Sequence, residues 1–321
     1  MWPAISVIIP TRPGAPARAL DALQVVDYPR ERLEILVVEG ECPPRQRNQA
    51  ACRASGDVLY FLDDDSLVAP DALQRLAAHY CSPNTHAVGG PALTPDSEPL
   101  LSRCIGYALG TRLGAWTMRA RYAVIGRCRP ATEKELIGCN LSIRREVFWN
   151  VGGFREDLYP NEETEIIGRL LQQGKVALYD PELVVWRTQS RSFIGLARQF
   201  FAYGRGRMRQ TFRTYPSANL VFLVPALGVV YVTLLPVLWW KLGAWVALPA
   251  VIYLTLTLAI GVSIGLKYRT VAGSAVLPIL YGLIHMCYGC GLIYEAIVQG
   301  ASLGRTLIPA GHAGQSRDCP E

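Results

Sequence analysis

The sequence predicts an α/β domain with a mostly parallel sheet, followed by an interface segment and a membrane-embedded tail. Three observations predict it. Apolar, strand-like runs alternate with helix-like segments over residues 5–62. Three consecutive carboxylates, Asp63, Asp64 and Asp65, directly follow the third such run. From residue 219 onward the chain turns into long uncharged apolar stretches.

Residues 5–10 have the pattern of a buried strand, and 18–26 that of a short helix. A second strand over 33–38 ends on Glu39, a Pro-rich turn follows at 42–44, 45–54 has helical spacing, and 58–62 is the third strand. Strands of this kind end at the carboxyl edge of a parallel sheet, where open α/β sheets bind ligands. Three carboxylates at such an edge cannot all be buried without a cation. Oxygen ligands suit Mg²⁺ or Mn²⁺, which can clamp a diphosphate. Taken alone, the run equally suits an acidic turn before a helix that starts near Pro70, with Asp71 in its first turn.

Several motifs in order decide between these readings. Ile8-Ile9-Pro10-Thr11, Val37-Val38-Glu39, Arg47-Asn48-Gln49-Ala50, Ser55-Gly56-Asp57 and Phe61-Leu62-Asp63-Asp64-Asp65 resemble the donor half of a family 2 glycosyltransferase. A second block extends the resemblance over roughly the first 210 residues: Gly138 to Arg145, Val151-Gly152-Gly153-Phe154, Glu162-Glu163-Thr164-Glu165 and Arg169. The resemblance implies a GT-A fold, a nucleotide-diphospho-sugar donor of the UDP or GDP type, a divalent metal (Mn²⁺ or Mg²⁺) and displacement with inversion. It implies donor contacts from Pro10, Thr11, Glu39, Arg47, Asn48, Asp63 and Asp64, with the metal on Asp65 helped by Asp63. Glu39 stands where the family usually has an Asp that reads the base. The catalytic pair is Glu162-Glu163 in place of Glu-Asp, with Glu163 expected as general base; an acidic first helical turn is the plain alternative, and Glu165 fits it. Gly152, Gly153 and Phe154 resemble the loop that shapes the acceptor side, and they also suit a helix C-cap. Where many relatives carry a His after a late strand, this chain has Arg187, which could pair with diphosphate.

The apolar stretches at 219–240, 244–266 and 271–294 are each long enough to span a bilayer. The expected domains are therefore 1–190 for catalysis, 191–216 as an Arg-rich amphipathic interface segment, 217–298 for three spans, and a tail at 299–321. Six arginines between Arg191 and Arg213 are interleaved with aromatic and aliphatic residues, which suits a helix in the membrane interface. Arg205 and Arg207 are the expected guides for a polyprenyl-phosphate or diphosphate-linked acceptor. The positive-inside rule places the catalytic domain in the cytoplasm of a multi-pass protein of the cell inner membrane, with the C-terminus outward. The Gln-x-x-Arg-Trp motif of processive synthases is absent after Gln199. The resemblance thus points to membrane-anchored, succinoglycan-type transferases of exopolysaccharide assembly, with a polyprenyl-monophosphate sugar synthase or a non-catalytic membrane scaffold of the same fold as alternatives.

The net charge of +6 comes largely from the Arg-rich segment and reports on a membrane surface, and no nucleic-acid-reading motif accompanies it. The start runs directly into the first strand, so no signal peptide is expected. The nine cysteines are expected as free thiols, and His285 as a neutral side chain bonded to a backbone carbonyl. The basic loop at 92–133, with Arg112, Arg119, Arg121, Arg127 and Arg129, is expected as a mobile surface, with an acceptor-gating segment as the alternative.

Overall fold

The computed structural model describes residues 2–213 and 220–303. The last residues of the expected interface segment, the first residue of the first expected span and the tail at 304–321 lie outside the described residues. Two compact units emerge, one of residues 2–95 and 117–188, the other of Asp96–Trp116 with residues 189–213 and 220–303.

Along the chain the first unit runs β1 (Ile5–Thr11), α1 (Ala19–Gln24), β2 (Leu33–Glu39), α2 (Pro43–Arg53), β3 (Val58–Leu62), β4 (Leu67–Val68), α3 (Ala72–His79), β5 (Ala87–Gly89) and β6 (Ala92–Leu93). The second unit then takes α4 (Leu100–Leu109) and α5 (Arg112–Ala115). The first resumes with β7 (Arg129–Pro130), β8 (Asn140–Arg144), α6 (Arg145–Asn150), α7 (Glu162–Gln172), β9 (Ala177–Tyr179) and β10 (Val185–Trp186). The second ends with α8 (Phe193–Arg213), α9 (Val224–Leu242), α10 (Leu248–Lys267) and α11 (Val271–Leu303).

The main sheet has the order β2-β1-β3-β8-β5-β9-β7. β1 pairs in parallel with β2 and β3, β5 in parallel with β9, while β8 and β7 run the other way. Strand periodicity explains why both faces are covered. Ile5, Val7 and Ile9 of β1, with Val58, Tyr60 and Leu62 of β3, join a core with α1 and α3. Ile8, Leu59 and Phe61 point the other way into a core with α2, α6 and α7. With a mostly parallel sheet between helical layers, followed along the chain by apolar C-terminal helices, the expected fold class is observed.

A small second sheet, β4-β10-β6, positions the site. β4 begins two residues after the acidic run, and β10 lies antiparallel to it with Trp186 opposite Leu67. The residue after β10, Arg187, is thereby delivered to the end of β3.

In the second unit three helices are long and apolar enough to cross a membrane: Val221–Leu242, Ala244–Lys267 and Val271–Gly300. Residues 96–116 are not a mobile basic loop. They form α4 and α5 and pack within this unit, where Tyr107 stacks on Tyr268 with ring centroids 3.9 Å apart. The Thr111 hydroxyl meets that of Tyr281 at 3.1 Å. His285 bonds the Leu113 carbonyl at 2.9 Å, a backbone-carbonyl partner of the kind expected, and meets the Tyr253 hydroxyl at 2.8 Å. None of the eight cysteines among the described residues is in a disulfide.

α8 rests on α11 by close backbone approach. A Cβ on Gly204 would lie 2.1 Å from the Tyr288 carbonyl oxygen, and one on Gly291 would lie 2.1 Å from that of Phe201. Gly204→Val is therefore expected to lower the melting temperature of the detergent-solubilised protein, with an overpacking cost of about 1–3 kcal/mol. Gly228→Ala, at a position with nothing within 4 Å of the added Cβ, is expected to leave the melting temperature unchanged or slightly raised, and thermal scans of the two variants make the comparison.

Candidate active site

The acidic run leaves β3 in a tight turn. Ser66 is fully buried, its backbone N–H donates to the Asp63 carbonyl at 3.1 Å, and its hydroxyl accepts from the Asp63 N–H at 3.0 Å. This turn fixes where three successive carboxylates point. Asp63 receives a guanidinium on each oxygen: Arg47 Nη2 at 2.7 Å from Oδ1 and Arg187 Nη1 at 2.9 Å from Oδ2. Asp65 accepts from the Thr188 backbone N–H, and its buried Oδ1 has no hydrogen bond but lies 3.6 Å from Arg187 Nε. Burial and the neighbouring carboxylates hold Asp64 and Asp65 above the ordinary Asp range, while Arg187 pulls both the other way.

α2 supplies the basic side. Arg47 is 4 % exposed, and besides Asp63 its Nη1 reaches Glu162 Oε1 at 2.9 Å. One guanidinium therefore joins the end of β3 to the start of α7. Asn48, on the next position, spends its amide on Phe154: its Nδ2 donates to the Phe154 carbonyl at 2.8 Å and its Oδ1 accepts from the Phe154 N–H at 2.9 Å.

Phe154 is buried against Phe61 and Phe148. Gly152 and Gly153 close α6 at φ +87° and +67°, donating to the Trp149 and Phe148 carbonyls. Only glycine takes such φ values without strain. Arg169 holds this turn from α7, bonding the Val151 and Gly153 carbonyls while Glu165 binds it at 2.7 Å. The C-cap reading of Gly152–Gly153 and the structural reading of Glu165 thus describe these contacts.

α7 opens on two adjacent carboxylates in different surroundings. Glu162 has one oxygen on Arg47, and its buried Oε2 has no hydrogen bond. Burial, then the charge of Glu163, push its pKa up to about 7 against the attraction of Arg47. Glu163 Oε1 is held at 2.8 Å by Nη1 of Arg121, and no hydrogen bond to Oε2 is found among the described residues. Arg121 is itself locked, donating to the carbonyls of Lys134 and Glu133 and to the Thr164 hydroxyl. Sequence reasoning left Arg121 among the surface arginines, and no local signal separates it from them. At the mouth, Glu39 is exposed and accepts from the Gly14 N–H at 3.4 Å, while Pro10 and Thr11 end β1 beside it, the Thr11 carbonyl being taken by Gln46 and Gly40.

The expected metal can be tested against these residues. Among the described residues no three His, Cys, Asp or Glu side chains form a ligand set. The orphaned, buried Oδ1 of Asp65 does fit a hard cation of the kind that takes one or two carboxylates and completes its shell with phosphate oxygens and water.

Arg205 and Arg207 lie in the second unit. Arg205 gives Nε to Glu295 Oε2 at 2.9 Å and Arg209 gives Nε to Glu295 Oε1 at 3.0 Å. Arg207 bonds Gln210 and lies over the Phe222 ring.

The model of glycosyl transferase family group 2 matches residues 58–312. Among solved structures, the mannosyltransferase PcManGT from Pyrobaculum calidifontis, in complex with GDP-Man and Mn²⁺, aligns over 93 % of this chain and 88 % of its own, with a TM-score of 0.54 and 18 % identity. TarS of S. aureus aligns over 67 % of this chain and 44 % of its own, with a TM-score of 0.40 and 14 % identity. No curated protein matches the sequence.

The Glu162 environment gives a pH dependence with a defined sign. Between its ordinary pKa of 4.5 and about 7, the folded protein keeps a proton on Glu162 that the unfolded chain gives up. This contribution to stability is full below the lower value, is lost as pH rises through the upper one, and is level beyond it. Glu162→Gln removes the titration, so its melting temperature is expected to fall less than that of the wild type between about pH 5 and 8.

Proposed function

The chain belongs to glycosyl transferase family group 2, and on that premise we propose that it transfers a sugar from a nucleotide-diphospho-sugar to a lipid-linked acceptor, with inversion, in bacterial exopolysaccharide or other glycan assembly. The observation that carries this reading is the Arg47 bridge. A buried guanidinium ties Asp63 to Glu162, so the carboxylates proposed for the donor and those proposed for the acceptor belong to one bonded network.

Glu163 is the general base in this reading. Arg121 holds its Oε1, which fixes the carboxylate direction and leaves Oε2 to take the proton of the acceptor hydroxyl. As that O–H bond breaks, its oxygen bonds the anomeric carbon, and the bond from that carbon to the diphosphate breaks on the opposite face. The bonding pair leaves with the nucleoside diphosphate. Arg47 and Arg187 set positive charge beside that leaving group. Asp65, helped by Asp63, would hold Mn²⁺ or Mg²⁺, which when bound supplies Lewis-acid neutralisation of the departing charge. Glu39, Pro10 and Thr11 face the nucleoside, Asp64 completes the acidic turn, and Asn48 keeps the Gly152–Gly153–Phe154 turn in place on the acceptor side.

Membrane anchoring through the apolar helices belongs to the same proposal, with the catalytic unit cytoplasmic at the inner membrane, as the distribution of Lys and Arg favours. Residues 1–190, 191–216 and 217–298 then act as catalytic, interface and anchoring segments. The Nη groups of Arg205 carry no hydrogen bond among the described residues, and with Arg207 they offer a site for the phosphate of a polyprenyl-linked acceptor.

The deciding experiment is a thermal-shift panel of UDP- and GDP-sugars on the solubilised protein, with Mn²⁺ and with chelator, followed by product analysis. GDP-mannose with Mn²⁺, the pair bound to the mannosyltransferase of similar fold, goes first. Metal-dependent stabilisation by one nucleotide and transfer to a lipid-linked hydroxyl are expected. Stabilisation by no nucleotide would overturn the reading in favour of a scaffold, and a product that is an acid-labile sugar phosphodiester would move it to a lipid-phosphate acceptor.

Glu163→Gln is expected to retain nucleotide binding while turnover falls about 10²–10⁴-fold, the usual contribution of a positioned base, read as kcat against nucleotide Kd. Arg121→Gln, which frees the base without removing it, is expected to lower kcat by about tenfold or more, since small misplacement is costly, with nucleotide Kd within about twofold of wild type.

A further inference from the structure

We propose that Arg187 is a resident counter-cation of the Asp63–Asp65 cluster, which must move onto the donor's diphosphate before a divalent metal can take both carboxylates. This rests on the donor reading above and adds an order of events and a residue that enforces it.

The two guanidiniums on Asp63 are unequally held. Arg47 is 5 % exposed in its side chain and is pinned from the other side by Glu162. Arg187 is 25 % exposed, bonds Asp63 Oδ2 at 2.9 Å and stands 3.6 Å from Asp65 Oδ1. It therefore touches one oxygen of each of the two carboxylates assigned to the metal. With both oxygens of Asp63 already in charge-assisted bonds, a metal can claim Asp63 only by displacing one guanidinium. Moving Arg47 would leave Glu162 buried beside Glu163 without a counter-charge, the costly half of breaking a buried pair.

Arg187 also bonds the buried Cys139, a neutral thiol whose loss as a partner strands no charge. The arginine sits at the end of β10, whose pairing with β4 brings it to the acidic turn, and its backbone N–H is anchored on the Leu93 carbonyl at 2.9 Å. The side chain can move while its Cα stays in place. A guanidinium fork that fits a carboxylate also fits a phosphate, so a diphosphate arriving beside the turn offers Arg187 a replacement partner. The exchange frees Asp63 Oδ2 and Asp65 Oδ1 together. Metal and diphosphate then bind with positive coupling, and linkage requires each to tighten the other by the same factor.

The test is a titration of full-length, detergent-solubilised protein with Mn²⁺, following free Mn²⁺ by electron paramagnetic resonance, without nucleotide and with GDP or UDP. Arg187→Ala is expected to tighten nucleotide-free Mn²⁺ binding by about tenfold, and to shrink by a similar factor the gain that nucleotide gives the wild type, within the usual range of coupling. Arg187→Lys keeps the positive charge and is expected to stay within about twofold of wild type without nucleotide. Arg187→Gln serves as the neutral variant if the alanine form does not fold, as judged by its thermal transition. Asp65→Asn is expected to abolish Mn²⁺ binding, leaving the free-Mn²⁺ signal undiminished, in every background.

Nucleotide-free Mn²⁺ affinity that is the same in wild type, Ala and Gln forms overturns the proposal, as does Mn²⁺ binding that survives Asp65→Asn. If no nucleotide binds any form, the donor reading fails, yet the nucleotide-free comparison still decides the role of Arg187.

Discussion

The site depends on one buried cation. Arg47 is almost fully withdrawn from water, and its two partners, Asp63 and Glu162, come from the two separate stretches of sequence that make up the first unit. Removing a guanidinium from water costs several kcal/mol, and that is recovered only where both sides of the fork are paired with good geometry. Neither carboxylate can therefore drift without stranding a buried charge. β3 fixes Asp63 through the Ser66 turn, α7 fixes Glu162, and α2 holds Arg47 while its neighbour Asn48 ties the α6–α7 connection through Phe154. Two regions of the first unit about 100 residues apart, α2–β3 and α6–α7, are held to one point by two adjacent residues of a single helix.

That arrangement also separates the two glutamates of α7. A pair of adjacent carboxylates cannot both be comfortably charged in a buried place, and the structure resolves the conflict by giving each its own arginine. Glu162, with an orphaned oxygen and the deeper position, takes up the strain as a raised pKa. Glu163 has Arg121, which is pinned by two carbonyls and a hydroxyl and so holds the carboxylate in one direction. The extra methylene of Glu over Asp makes such a clamp more important, because a longer side chain has one more torsion to fix.

What the sequence disclosed follows the range of the interactions involved. The bounds of β1, β2 and β3 agree with the apolar runs to within a residue: β1 and β3 are buried on both faces, which writes itself directly into composition, and β2 at the sheet edge keeps a readable apolar run although partly exposed. Asp63–Asp65 and Glu162–Glu163 were conspicuous because carboxylates at strand and helix ends stand out against apolar flanks. Arg121 was not, since what distinguishes it from Arg119 or Arg127 is the set of carbonyls it reaches after folding. The stretch at 96–116 was misread for a similar reason. It was read together with the arginine-rich residues that follow it, at 119–129, while the contacts that make it part of the second unit, Tyr107 on Tyr268 and Leu113 on His285, join positions more than 150 apart in sequence.

The contact between α8 and α11 bears on membrane topology. α11 carries a continuous apolar run from residue 271 to 294, about 36 Å at 1.5 Å per residue, and Glu295 follows. Its carboxylate is buried under Arg205 and Arg209 of α8, next to the glycine-mediated contacts at Tyr288 and Gly291. A paired carboxylate of this kind is stable at or beyond the edge of the hydrocarbon. α8, with arginines interleaved among aromatic side chains, has the composition of a helix lying at a membrane face. The ion pairs on Glu295 tie the end of α11 to α8, because breaking them would leave a charge in the protein interior without a partner.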